Sequence, residues 1–229
     1  ISDRGNDSWQ GNFCMSDAKS KRKGRPRPSP TNARELALEA LIRVFDDGAY
    51  SNLSLDALLK KYALSNEDKR LATTLFYGTL GETFALDELI ERYSSVRIAK
   101  MDVIVRCILR MGFWQLFFSA VPNSAAVNEA VNLCRRSGFT SAASLVNAVL
   151  RQGLRRETQY VPQSLAAKSG FAPELAADLQ TWLGSEAEVL ALGQSLREAR
   201  GLSLRLRIQE DDEVGRARLL REIAESGFE

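Results

Sequence analysis

Histidine is absent from all 229 residues of this chain. Its absence removes the commonest general base near neutral pH and the commonest metal ligand together. Cysteine is scarce. Cys14, Cys107 and Cys134 fall in no paired spacing, which argues against a zinc site or a disulfide framework and suits a reducing cytoplasm. No apolar run reaches the ~18 residues that a membrane helix needs. The greasiest stretch, Val103 to Ala120, is broken by Arg106, Arg110 and Gln115. The N-terminus also lacks the apolar h-region of a signal peptide.

What is present is a hydrophobic content of 45%, enough to bury a real core, on a length that holds one ordinary domain and a smaller unit. The net charge of +2 is unevenly spread. Residues 1–30 carry Arg4, Lys19, Lys21, Arg22, Lys23, Arg25 and Arg27 against Asp3, Asp7 and Asp17. The rest of the chain has slightly more acids than bases. This is a basic tail on a near-neutral body, an electrostatic handle for phosphates that is expected to be disordered until bound. Pro26, Pro28 and Pro30 keep it extended.

The ends are expected to be irregular. The chain starts at Ile1 and its first methionine is Met15, so residues 1–14 read as non-native upstream sequence. At the other end, Ser226-Gly-Phe-Glu229 stops where a helix hands over to a new element, the pattern of a fragment.

Between residues 31 and 157 the periodicity is helical throughout. A first helix opens at Asn32 with Glu35 in capping-box spacing and ends by Gly48. A second, capped by Ser54, shows Leu55, Leu58, Leu59 and Tyr62 at i, i+3, i+4, i+7. A third opens at Ser65 with Asp68 at its positive end and passes Gly78 and Gly81. A fourth carries Leu86, Leu89, Ile90 and Tyr93. The fifth, Met101 to Phe118, is apolar around most of its circumference and so belongs at the centre of a bundle. After Pro122, two more run over 124–137 and 141–156. Seven helices with short joints predict an all-α bundle. A looser stretch follows, then a helix opened by Pro173, another over 185–199, one alternating strand over 202–208, and a last helix over 214–225. The expected organisation is a tail over 1–30, a helical domain over 31–157, a helical linker over 158–200 and the start of a small α+β subdomain over 201–229.

Several clusters in the helical region carry a resemblance. They are Asn32-Ala-Arg-Glu, Asp68-Lys-Arg-Leu running into Leu75-Phe-Tyr-Gly-Thr-Leu80, Ile108-Leu-Arg-Met-Gly112, Gln115-Leu116, Val121-Pro122, Ala126-Val-Asn-Glu-Ala-Val131 and Leu145-Val-Asn-Ala-Val-Leu-Arg151. Taken in order, they resemble the NusB-like domain over residues 32–156. That domain occurs as the free-standing antitermination factor NusB and as the N-terminal part of RsmB-type (Sun/Fmu) rRNA cytosine-C5 methyltransferases. The residues beyond 157 resemble the second setting. The resemblance implies an RNA-binding domain that positions small-subunit (16S) rRNA for a methyltransferase domain using S-adenosylmethionine, absent from this chain. Partners would then be RNA and that C-terminal domain, with no membrane.

The chemistry of such an enzyme needs a glycine-containing loop for S-adenosylmethionine and a cysteine thiolate in an electropositive pocket. Nothing after Glu157 offers them. Cys107 and Cys134 read as small core residues. No catalytic, cofactor or metal residue is assigned.

RNA-contact candidates are Lys19, Lys21, Arg22, Lys23, Arg25 and Arg27 in the tail, Arg34 in the first turn of helix one, and Asn147, Arg151 and Arg155 on helix seven. Arg34 lies in the region through which the resemblance implies RNA contact, and arginine grips phosphate bidentately. Arg151 and Arg155 share a face by i, i+4 spacing. The plainer readings are a solubilising tail, an exposed charge, and, with Arg156, cations complementing the helix C-terminus. Glu129 is expected to pair with Arg110 or to cap a backbone group, and the aromatic run Phe113, Trp114, Phe117, Phe118 to be core. Two other functions stay open: a non-enzymatic antitermination factor binding RNA with a ribosomal protein, and a protein scaffold without RNA affinity.

Overall fold

The structure, a computed structural model, describes residues 29–157, 159–198 and the helical positions 215, 217, 218, 221 and 222. Among the described residues it is all-α, with ten α-helices between Ala33 and Arg197 and no strand. The basic positions 19–27 and the expected strand over 202–208 lie outside the described residues.

Helix α1 (Ala33–Phe45) starts where Asn32 accepts the Glu35 N–H at 3.1 Å. The Glu35 carboxylate reaches back to the N–H and hydroxyl of Thr31, at 2.9 and 2.8 Å. The box thus closes one residue earlier than the Asn32–Glu35 spacing suggests. Helix α2 (Ser51–Lys61) begins a turn before the expected cap. Ser54 lies buried inside it, its N–H donating to the Tyr50 carbonyl at 2.9 Å. The local sequence offered a cap-type residue, but the helical ladder ran through it. Helix α3 (Asn66–Gly81) is capped by Ser65, whose oxygen accepts the Asp68 N–H at 3.0 Å, and α4 (Thr83–Tyr93) follows directly.

Helix α5 (Val103–Phe117) is capped by Asp102, which accepts the Ile104 N–H at 3.0 Å. It is buried continuously from Cys107 to Leu116 because α1, α3, α4, α6 (Asn123–Arg136) and α7 (Ala143–Arg156) all pack on it. This is the reason for its uninterrupted hydrophobicity: a helix with neighbours all round has no solvent face. The aromatic run supplies much of that core. Phe113 is fully buried and stacks on Phe117 at 6.0 Å, while Phe118, beyond the helix end, is partly exposed against Tyr160.

After α7 the chain folds back onto the bundle. A short helix, α8 (Leu165–Ser169), which periodicity alone did not reveal, packs on α4. Helix α9 (Pro173–Leu183) packs on α8, and α10 (Glu186–Arg197) follows. Gly170 and Gly184 end α8 and α9 in the left-handed conformation, with φ of 80° and 84°, which a side chain would strain. Glu88 on α4 fastens this return. Its carboxylate accepts the N–H of Gln163 at 3.0 Å, the N–H of Ser164 at 2.9 Å and the Ser164 hydroxyl at 2.8 Å. Arg92 bridges Glu88 and Glu157 at 2.8 and 2.7 Å, and the Tyr93 hydroxyl donates to Glu157 at 2.6 Å.

The described residues up to Gln194 belong to one compact unit and those from Ser195 onward to a second. In the second, Arg218 pairs with Glu222 one helical turn away at 3.0 Å. No helix among the described residues is long and apolar enough to cross a membrane.

Candidate nucleic-acid interface

Arg34 emerges from the first turn of α1, half-buried. Its Nε donates to the Gln115 side-chain oxygen at 3.1 Å. Gln115 is itself held, donating to the Met111 carbonyl at 3.1 Å. The bond uses only Nε. The two Nη groups make no hydrogen bond or ion pair among the described residues, so Arg34 is aimed by its neighbour and keeps the edge that matches a phosphate.

Beside it the structure places a residue that the sequence reading passed over. Arg136, in the last turn of α6, pairs with Glu35 at 3.2 Å and with Glu129 at 3.7 Å. The available signal was its place near a helix C-terminus, which was not followed across to α1. Burial alone would raise the Glu35 carboxyl. The hydrogen bonds from Thr31 and the charge of Arg136 outweigh it and hold the carboxyl below its usual range. The α1 entrance therefore combines an oriented arginine with a second arginine that two carboxylates, Glu35 and Glu129, compensate.

On α7, Arg151 donates from Nε to Asn147 at 2.9 Å, again leaving both Nη groups without a hydrogen bond or ion pair among the described residues. Arg155 is exposed one turn further on, and Arg156 is exposed beside it. Asn147 and Arg151 are brought into contact. No hydrogen bond or ion pair among the described residues joins them to Arg34.

The expected Glu129–Arg110 pair does not form. Arg110 is buried and takes both oxygens of Asp87, Nε to Oδ1 at 2.6 Å and Nη2 to Oδ2 at 2.7 Å, with its guanidinium 4.2 Å from the Phe45 ring centroid. Asp87 lies on the inward stripe of α4 with Thr83, Leu86 and Ile90, at i, i+3, i+4, i+7. Glu129 faces outward to Arg136 instead, and Asn128 is exposed.

The described residues do not fit S-adenosylmethionine or a cysteine nucleophile. They contain no strand leading into a glycine-rich turn. Burial pushes the Cys107 thiol up to about 11, against the opposing pull of Arg110 and Arg106. Burial also raises Cys134, whose thiol donates to the Phe139 carbonyl at 3.2 Å. Neither sulfur is a thiolate near neutral pH.

The model of the NusB family matches residues 31–155. A protein described as a probable ribosomal RNA small subunit methyltransferase B from Bacillus subtilis (strain 168) is 38% identical over 128 residues. The match takes in 56% of this chain and spans 28% of that relative's length. Among solved structures, the crystal structure of antitermination factors NusB and NusE in complex with dsRNA matches with a TM-score of 0.51 at 20% identity, over 55% of this chain and 95% of that one. The crystal structure of PH0851 matches with a TM-score of 0.55 at 15% identity, over 84% of this chain and 45% of that one. These two likenesses concern the fold.

Proposed function

The chain belongs to the NusB family through residues 31–155, and from that premise we propose that it is the RNA-binding part of a small-subunit rRNA cytosine-C5 methyltransferase, holding rRNA for a catalytic domain that uses S-adenosylmethionine. The observation that carries this reading is the 38% identity to a ribosomal RNA small subunit methyltransferase, confined to 28% of that protein. The NusB and NusE structure contains double-stranded RNA, which supports RNA as the ligand of the shared bundle.

In this reading the tail residues Lys19, Lys21, Arg22, Lys23, Arg25 and Arg27 displace counterions from phosphates. Arg34 binds phosphate in the orientation that Gln115 gives it. Arg151 and Arg155, with Asn147, extend the track on α7. Phosphate contacts of this kind position an RNA and do not read its sequence. We infer a reducing cytoplasm as its compartment, a reading supported by cysteines that fall in no paired spacing.

The test is binding of a small-subunit rRNA fragment over a salt series. Affinity should fall steeply with salt, and should collapse when residues 16–30 are deleted and Arg34 is changed to Ala, with an unchanged cooperative melt. Undiminished affinity in that variant overturns the assignment. A free-standing antitermination role is favoured by the 95% coverage of the NusB chain. It predicts that deleting residues 158–229 leaves function intact.

A further inference from the structure

Helix α9 carries an apolar stripe that the described residues leave largely uncovered. Leu175, Leu179, Trp182 and Leu183 fall at i, i+4, i+7 and i+8 and so share one face. Trp182 is 68% exposed, Leu175 43% and Leu183 42%, whereas the one buried residue of the helix is Ala176. The helix is nonetheless held in place. Pro173 opens it, Gly184 closes it, and α8, on which it packs, is fastened to α4 through Glu88. A clustered stripe with an exposed tryptophan on a fixed helix is the composition of a docking surface.

The flank of the stripe says what docks. Glu174 and Asp178, one turn apart, border it on the side away from Ala176, and α9 has no basic residue. Carboxylates beside an aromatic platform repel a polyanion, so neither RNA nor an anionic lipid surface suits it. The complement is a protein patch with an apolar centre and a basic rim. Chain length indicates which protein. The fold seen over 84% of this chain fills only 45% of PH0851, and the Bacillus subtilis methyltransferase extends well beyond its matched 28%.

We propose that the Leu175–Leu179–Trp182–Leu183 face of α9 is the seat on which the catalytic domain of the same polypeptide docks. This rests on the reading of the chain as the N-terminal part of a longer enzyme.

Hydroxyl-radical footprinting read by mass spectrometry tests it site by site. Oxidation of Trp182 is compared in this 229-residue chain and in the uninterrupted polypeptide translated past Glu229. The expected result is at least fivefold protection of Trp182 and Leu175 in the longer polypeptide. Leu175→Ser with Trp182→Ser should abolish protection elsewhere on α9 and expand the longer polypeptide in small-angle scattering, with the circular dichroism of the 229-residue chain unchanged. Equal oxidation in both lengths overturns the proposal while leaving the RNA-binding reading intact. Protection of Trp182 by an added small-subunit rRNA fragment, or by self-association of the 229-residue chain in sedimentation, also overturns it. A reading frame with no domain past Glu229 overturns both readings, and the rRNA titration then reports separately on RNA binding.

Discussion

No methyl group fits between Gly78 on α3 and the indole of Trp114 on α5. A Cβ at position 78 would collide with Cε2 and Cζ2 of a ring that is itself almost wholly buried. In an open helix, alanine in place of glycine stabilises by about 1 kcal/mol. Here the sign reverses, because a buried indole has to shift to admit the methyl group. Gly78→Ala should destabilise the bundle by about 1–3 kcal/mol, the usual range for overpacking. Urea denaturation measures the loss, and the near-ultraviolet circular dichroism of Trp114 should change with it.

The Arg110–Asp87 pair behaves differently from a surface ion pair. Asp87→Ala leaves a buried guanidinium without its carboxylate and should cost about 3–5 kcal/mol. Replacing both residues, as in Arg110→Met with Asp87→Leu, should recover most of that loss. A double-mutant cycle in urea decides it. Additive losses would show that the two side chains do not act together.

The clasp at Glu88 gives a pH dependence. Burial would raise this carboxyl, but hydrogen bonds from Ser164 and Gln163 and the charge of Arg92 outweigh burial and lower it from 4.5. A carboxyl lowered in the folded state binds its proton later than in the unfolded state. Its stabilisation is therefore complete above the unfolded value, begins to fall near pH 4.5, and is gone once the folded value is passed. Glu88→Gln should flatten the stability–pH curve below pH 4.5 and accelerate hydrogen exchange at the Gln163 and Ser164 amides at neutral pH.

Charge removal on α7 should act through salt. Arg151→Ala is expected to weaken rRNA binding uniformly across sequences and to lower the salt slope by about one. Asn147→Ala leaves the charge in place and removes only its orientation. It should therefore lower affinity with little change of slope. Equal slopes in wild type and Arg151→Ala would remove this arginine from the interface.

The helical architecture was legible because apolar periodicity marks α1, α3, α4, α5 and α7, and in α1 and α3 a capping residue agrees with it. Boundaries were less so. Ser54 carries the chemistry of a cap, yet its N–H is already committed to Tyr50, a fact only the folded backbone contains. Helix α8 is too short to show a period and exists through contacts with a residue far upstream. Arg110 was recognised as a buried charge in need of a partner, but its acid was sought on α6. The acid is Asp87, whose inward phase on α4 the i, i+3, i+4, i+7 spacing shows. Among the candidate interface residues, the Asn147–Arg151 contact follows from i, i+4 spacing, whereas Arg34 on Gln115 joins residues 81 apart in sequence.

The bonds from Gln163 and Ser164 to Glu88 span 75 and 76 residues. A five-residue helix such as α8 has no stability by itself in water. During synthesis, α4 leaves the ribosome long before residues 163–169 are made. The segments of α1 to α7 all precede α8 on the nascent chain, so the surface that α8 needs can be in place when α8 emerges.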